Sequence, residues 1–364
     1  MVTIIPKYLF INSQYLEPPI INSLWRIYTM KDIYSVLRQI NNILADTAKS
    51  RTGKIPEENK PQYTKLDRET VRQLVKSEYS EAYNRYIHDC YIFRGVSNRE
   101  KNLIKNFKIL KPGLRVTAGG VKRNLYTRLL SDILPSWKDF PPRNRSFICS
   151  TSSGYALNYT GKEPKFDNVY VVLPKNGAKI GICSTADIWT SFKILNEHDL
   201  SLDGFQNAFL YIIELIGREL DEIITNETKK KTTKYSRIGN ILDNATKYKS
   251  DQSIIIILNT LSEKLKIYID EIIERLEKKH TTAADMATSM LREMKKLNAI
   301  NIIEFLDIIL NPKANGFKVV NIKNFREKAI VTYRPSNDGK EVWTDSECLF
   351  ITLKDLATLF VDYY

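Results

Sequence analysis

Histidine is scarce in this chain, with three residues (His88, His198, His280) in 364 positions. The four cysteines, Cys90, Cys149, Cys183 and Cys348, stand singly, each in an apolar, strand-like context. None has metal-ligand spacing, so no metal site is expected, and four separate thiols suit a reducing compartment. No cysteine–histidine arrangement offers a nucleophile. Glycine is also sparse: Gly113 and Gly119-Gly120 do not make a phosphate-cradling loop. No apolar run approaches the roughly 20 residues needed to cross a bilayer. The opening MVTIIPKYLFINSQ lacks the basic region, long apolar core and small-residue cleavage site of a secretory signal. Internal repeats and low-complexity tracts are missing too. Together these absences predict a cytoplasmic protein with no membrane or metal dependence.

An apolar fraction of 43% and a charged fraction of 27% are those of a globular protein with ample core. The length suits one large or two ordinary domains. The net charge of +13 points to a polyanionic partner, nucleic acid or an acidic protein surface. Lysines spread over solvated helical faces would produce the same excess.

In chain order, residues 1–48 read as helices, with Ile33, Val36, Leu37, Ile40 and Leu44 on one stripe. Residues 49–64 are polar, with two prolines and a glycine, and read as a linker or exposed loop. A helix is expected from an N-cap at Asp67 through His88. Short strands follow at Cys90–Val96 and Arg145–Gly154, the second ending in a hydroxyl cluster, with an amphipathic helix over Val121–Leu134 between them. Val169–Leu173 and Lys179–Cys183 flank the turn Pro174-Lys175-Asn176-Gly177 and predict a hairpin. Residues from about 186 to 310 read as helices. The clearest runs from Ser253 to Lys279 with an a/d seam of Ile254, Leu258, Leu261, Leu265, Tyr268 and Ile272. Strands return at Phe317–Ile322, Ala329–Tyr333 and Glu347–Leu353. The economical fold is α+β, divided as an N-terminal helical region (1–88), the first part of a sheet domain (89–199), a helical insertion or lobe (200–312) and C-terminal strands completing the sheet (313–364).

Three polar features interrupt apolar strands: Arg94 in YIFRGV, Ser150-Thr151-Ser152 in FICSTSS, and Glu347 in TDSECLFI. An arginine among apolar neighbours needs an anion or carboxylate, and its planar fork suits phosphate. Ser150 and Ser152 share a face at strand spacing. Asp345 and Glu347 also share a face, which costs like-charge repulsion unless the pair has a use.

In that order, arginine, Ser-Thr-Ser and glutamate, the chain resembles the Arg-Ser-Glu class of ADP-ribosyltransferases, including phage- and toxin-type members. The resemblance covers residues 85–185 and 315–353. It implies a split two-sheet sandwich carrying N-terminal helices and a large helical insertion, which the long separation of Ser152 from Glu347 requires. It implies NAD+ as co-substrate, bound by Arg94 and Gly95 on the first strand and by Ser150, Thr151 and Ser152 around the nicotinamide. Tyr155 or Tyr159 would stack on the nicotinamide ring. Glu347 would be the catalytic carboxylate, facing the ribose 2′-hydroxyl and the developing oxocarbenium ion. Asp345 would lie on the acceptor side, where the family carries Glu or Gln. An exposed Trp343, in the loop 335–344, would contact the target. The implied partners are a macromolecular acceptor, acidic protein or nucleic acid (RNA favoured by the charge), and an antitoxin or regulatory protein. The basic run Lys229–Arg237 fits a nucleic-acid acceptor. Two other readings remain open: an NAD glycohydrolase of the same fold, and a non-catalytic basic nucleic-acid-binding protein.

Overall fold

The chain divides into two compact units, Met1–Gly53 and Lys54–Tyr364. The computed structural model describes residues 62–97, 108–112, 121–161, 166–197, 202–228 and 251–359, all within the second unit. The helices expected within 1–48 and the basic run Lys229–Arg237 lie outside the described residues.

Among the described residues the architecture is mixed α and β, built on one antiparallel sheet of nine strands. The strands are β1 (Gln62–Lys65), β2 (Phe93–Gly95), β3 (Lys108–Lys111), β4 (Phe147–Ser150), β5 (Val169–Pro174), β6 (Lys179–Ile182), β7 (Lys318–Asn321), β8 (Glu341–Thr344) and β9 (Cys348–Thr352). Their spatial order is β1-β3-β9-β5-β2-β4-β8-β6-β7. Every side chain of β5 is buried, the mark of a strand covered on both faces. The junction of β2 with β4 is a single pairing, Phe93 with Ser150. Phe93 also pairs with Val171 of β5. One residue therefore joins two half-sheets.

The expected hairpin does not form. A tight turn does close at Ala178, whose N–H donates to the Lys175 carbonyl at 3.0 Å. However, β5 pairs with β2 and β9, whereas β6 pairs with β7 and β8. The two strands leave the turn into different half-sheets. The expected strand over Ala329–Tyr333 shrinks to one isolated bridge, Ile330 with Ser152. The residues taken as a linker instead contribute edge strand β1, and the loop expected over 335–344 contains β8.

Helix α1 (Arg68–Lys76) starts as expected, with the Asp67 carboxylate accepting from Thr70 N at 2.8 Å. It stops at Ser77, and α2 (Ser80–Tyr86) restarts the run, so the single helix expected to His88 is two. The middle of the chain is helical: α3 (Val121–Arg128) continues into a π-helical turn (Leu129–Ile133), and α4 (Ser153–Leu157) follows β4. After α5 (Lys193–Glu197) come α6 (Leu202–Thr228), α7 (Asp251–Glu277), α8 (Thr282–Lys296) and α9 (Ile302–Ile309), and α10 (Leu353–Leu359) follows β9. Ile254, Leu258, Leu261, Leu265 and Ile272 of α7 are buried, as their a/d spacing demands. Ser262 interrupts that apolar seam usefully. Its hydroxyl donates to Leu258 O at 2.7 Å and accepts from Ile302 N at 2.9 Å, which seats the start of α9 on α7.

Trp137 joins these helices to the sheet. Its indole N–H donates to Leu310 O at 2.9 Å, and its ring packs among Phe140, Phe192, Phe317 and Trp343. Trp343 is therefore not an exposed target-recognition residue. It is 1% exposed, stacks on Phe140 and donates to Pro141 O at 2.8 Å. Gly181 on the neighbouring strand leaves room for it, since a Cβ there would sit 2.3 Å from the indole. None of the described helices is long and apolar enough to cross a membrane.

Candidate active site

Strand pairing decides which polar residues meet. Phe93 is opposite Ser150 and Ser150 is opposite Glu341, so the three form one cross-strand row. Residues directly opposite in an antiparallel pair share a face. Cys183 extends the row: its N–H donates to Glu341 O at 2.9 Å, and its Sγ lies 3.7 Å from Glu341 Oε1.

Glu341 opens β8 as a buried carboxylate, with its side chain 4% exposed. Its counter-charge is Arg143, hydrogen-bonded to Oε1 and only 12% exposed. The Arg143 guanidinium also lies over the Trp343 ring, 5.7 Å from its centroid. Burial alone would lower the Arg143 pKa, but the adjacent Glu341 more than reverses this and the net shift is upward. Burial, then the Glu341 charge, pushes the Cys183 thiol well up, so it is held as a thiol.

Tyr155 and Tyr159 form the outer wall. Tyr159 donates to the Tyr155 hydroxyl at 3.2 Å, and Tyr155 donates to Asp187 Oδ2 at 3.4 Å. Both rings lie within the field of Glu341 and Asp187. Tyr155 is half-buried and Tyr159 is 54% exposed, so this pair of rings reaches the solvent surface. Asp187 is fixed by its own turn, with Oδ1 accepting from Trp189 N at 2.7 Å. Sequence reasoning passed over Arg143, Asp187 and Glu341. The usable signal was Asn337-Asp338-Gly339, a turn sequence leading straight into an acid and a Val-Trp pair.

The Ser-Thr-Ser segment is buried and mostly committed to local structure. Ser150 Oγ accepts from Ser152 N at 3.0 Å, and Ser152 Oγ caps α4 by accepting from Tyr155 N at 3.3 Å. Residues 325–340 cross this segment as a strap. Ile330 N donates to Thr151 O at 2.9 Å, Ser153 N to Ile330 O at 3.0 Å, and Thr151 N to Lys340 O at 2.9 Å. Thr151 Oγ1 accepts from Lys340 N at 2.9 Å, and Ser153 Oγ donates to Thr332 O at 2.8 Å. Close packing also holds the strap: a Cβ on Gly339 would lie 2.7 Å from the Ser152 Cβ. Thr151 and Ser152 thus fasten the strap, and Ser150 is the hydroxyl that neighbours the carboxylate.

Arg94 and Glu347 do not join this row. Alternation along β2 sends Arg94 to the sheet face opposite Phe93 and Ser150. There its guanidinium donates to Ile148 O at 2.7 Å and lies 5.7 Å from the Phe147 ring centroid. The buried Cys348 thiol is on this side as well. Burial and the neighbouring Cys149 raise its pKa, and Arg94 opposes them. Among the described residues no carboxylate pairs with Arg94. Gly95 is where β2 passes beneath α4, since a Cβ there would strike the Ala156 carbonyl at 1.9 Å.

Glu347 is remote from both. Tyr170, opposite Arg94, pairs with Thr352 at the far end of β9 from Glu347. At about 3.3 Å per residue that places Glu347 roughly 16 Å further along, on a strand two spacings of about 4.8 Å away. Its partners are Tyr79 Oη, which donates to Oε1 at 3.1 Å, Lys111 Nζ at 3.5 Å and Lys175 Nζ at 3.6 Å. Glu347 therefore ties the start of α2, β3 and the β5–β6 turn to the start of β9. Asp345 is exposed in the connection between β8 and β9. The expected grouping of Glu347 with Arg94 and Ser150 is corrected accordingly: the carboxylate beside Ser150 is Glu341.

Among the described residues no three His, Cys, Asp or Glu side chains gather as a metal site. Comparison of the chain with protein-family models, with characterised proteins and with solved structures finds no match.

Proposed function

We propose that the protein is a mono-ADP-ribosyltransferase that cleaves NAD+ and passes ADP-ribose to a macromolecular acceptor, with Glu341 as its carboxylate. The observation that carries this reading is the pairing of Ser150, at the end of a strand, with a buried glutamate that opens the adjacent strand. The Arg-Ser-Glu resemblance calls for that relation, and Glu347 lacks it. The split of the nine strands into two half-sheets is compatible with the sandwich the resemblance implies.

The chemistry follows from placement. Cleaving the bond from nicotinamide to ribose develops positive charge at the anomeric carbon, and a fixed carboxylate in a dry setting lowers that barrier. Glu341 is fixed by Arg143 and by its own backbone hydrogen bonds, so little reorganisation is needed at the moment of reaction. Tyr155 and Tyr159 supply rings against which the nicotinamide would stack. Arg143 is the cation beside the carboxylate. Arg94 lies two strands from Glu341 on the opposite face of the sheet, donating to Ile148 O, so Arg143 is the cation this reading uses.

The test compares Glu341→Gln with Glu347→Gln in release of nicotinamide from NAD+ and in transfer of labelled ADP-ribose to protein or RNA from a lysate. Glu341→Gln should slow both on the order of 10²–10³-fold, the cost of removing one preorganised electrostatic group. Glu347→Gln should stay near the wild-type rate. Loss of activity in Glu347→Gln alone would return the assignment to that residue. Nicotinamide release with no labelled macromolecule would make the protein an NAD glycohydrolase. Absence of turnover by the wild type would overturn the reading.

A further inference from the structure

The strap that crosses the Ser-Thr-Ser segment, with the turn Ile322–Asn324 just before it, carries more positive charge than its own structure uses. Lys323, Arg326, Lys328 and Arg334 are all exposed. Among the described residues, none of the four is paired with a carboxylate. Arg326 donates only to the carbonyls of Lys323 and Phe325, and Lys328 only to His88 O. The nearby acid Glu327 is already engaged by Lys340 at 2.7 Å. Unused cations of this kind are set off against an aromatic. Tyr333 is 75% exposed, with one side of its ring against Phe166 at a centroid distance of 4.5 Å. Ile330 and Val331 beside it are 41% and 48% exposed.

Exposed cations on either side of one exposed aromatic ring suit a flexible polyanion that offers both phosphates and planar bases. An acidic protein segment would engage the cations but gain little from the ring. A duplex would offer its phosphates but hide its bases. We infer that residues 323–334 form a docking strip for single-stranded nucleic acid, with phosphates on the four cations and a base stacked on Tyr333. The strip does not depend on NAD chemistry. Because the same strap leads through Lys340 into Glu341, a strand held on it would lie beside the candidate carboxylate, a consequence that rests on the proposed function.

The experiment is fluorescence anisotropy of a labelled single-stranded RNA of roughly 12 nucleotides, within the site sizes of such grooves, titrated with the full chain in the absence of NAD+. Salt is varied from about 50 to 200 mM, where phosphate contacts dominate the dependence. Tyr333→Ala should weaken binding about 10-fold, the scale of one base stack. Lys323→Gln with Arg334→Gln should reduce the slope of log affinity against log salt by about 0.7 per lysine or arginine removed. These side chains are exposed, and unchanged circular dichroism will show that the variants fold. Undetectable binding by the wild type overturns the inference, as does affinity unchanged in both variants. Equal competition by polyglutamate, with Tyr333→Ala neutral, also overturns it and identifies an acidic-protein surface instead. Because NAD+ is absent throughout, failure here is separate from failure of the turnover test.

Discussion

The starts of β8 and β9 are alike in sequence and opposite in setting. A glutamate opens β8 and another immediately precedes β9, each running into apolar residues and each with a cation within reach. Glu341 is almost wholly buried, held by one arginine and set beside a serine on the next strand. Glu347 is 18% exposed at its side chain and shared between two lysines and a tyrosine from three separate elements. The first arrangement concentrates a charge in a buried corner. The second distributes a charge among tethers. An acid at a strand's start therefore carries no chemical meaning until its cross-strand neighbour is known.

The contrast should be largest in stability when Arg143 is removed. Arg143→Met leaves a buried carboxylate without its counter-charge, and urea denaturation should show a loss of about 3–5 kcal/mol. Adding Glu341→Gln to that variant should restore part of the loss. A cost under about 1 kcal/mol for Arg143→Met would mean that the pair is solvated and that the two glutamates differ less than their burial implies. Around Glu347 the effects should be smaller. Tyr79→Phe removes a hydrogen bond to a charged group and should cost about 1.5–3 kcal/mol.

The same tyrosine has a pH signature. Burial first, then the Glu347 charge, holds Tyr79 far above an ordinary tyrosine. An unfolded tyrosine titrates near 10, so above that pH the unfolded chain releases a proton that the folded chain keeps. Stability is thus unaffected by this group below about pH 10 and falls as pH rises beyond it, by up to about 1.4 kcal/mol per pH unit. Tyr79→Phe should flatten that alkaline fall. An identical slope in the variant would show that Tyr79 ionises freely. The smallest effect is expected for Lys111→Ala. Its side chain is 60% exposed, and a cost of about 0.2–1 kcal/mol is the range for a surface pair.

Much of the sheet was legible because its central strands are apolar through and through. Val169–Pro174 and Phe147–Ser150 announce themselves by burial on both faces, and the a/d seam of α7 does so by period. The strands at one side of the sheet were not legible. Gln62-Tyr-Thr-Lys at the edge and Lys108-Ile-Leu-Lys beside it alternate weakly and carry lysines, so their composition reads as loop. The false hairpin has a different cause. The turn sequence at 174–177 was read correctly, but which partner a strand takes is a long-range matter that no local pattern encodes. The same limit hid Glu341. Glu341-Val-Trp-Thr is too short to show a period, whereas Cys348–Thr352 is a plain apolar run, and that drew attention to the glutamate before it. The polar residues Arg94, Ser150 and Ser152 were visible individually. Their faces depended on pairings between segments far apart in the chain.

The single pairing of Phe93 with Ser150 has a mechanical consequence. A ladder reduced to one rung leaves little backbone coupling across the break, so what joins the half-sheet holding β5 and β9 to the one holding β8 and β6 is a shared side-chain core, with Phe147 against Phe350 at 5.2 Å. The row that contains Glu341 crosses this junction at Phe93 and Ser150, and Glu341 itself sits one strand beyond the break. Amide exchange falling into two protection classes that meet at β2 would mark an opening at this rung, and one class throughout would show that the shared core dominates.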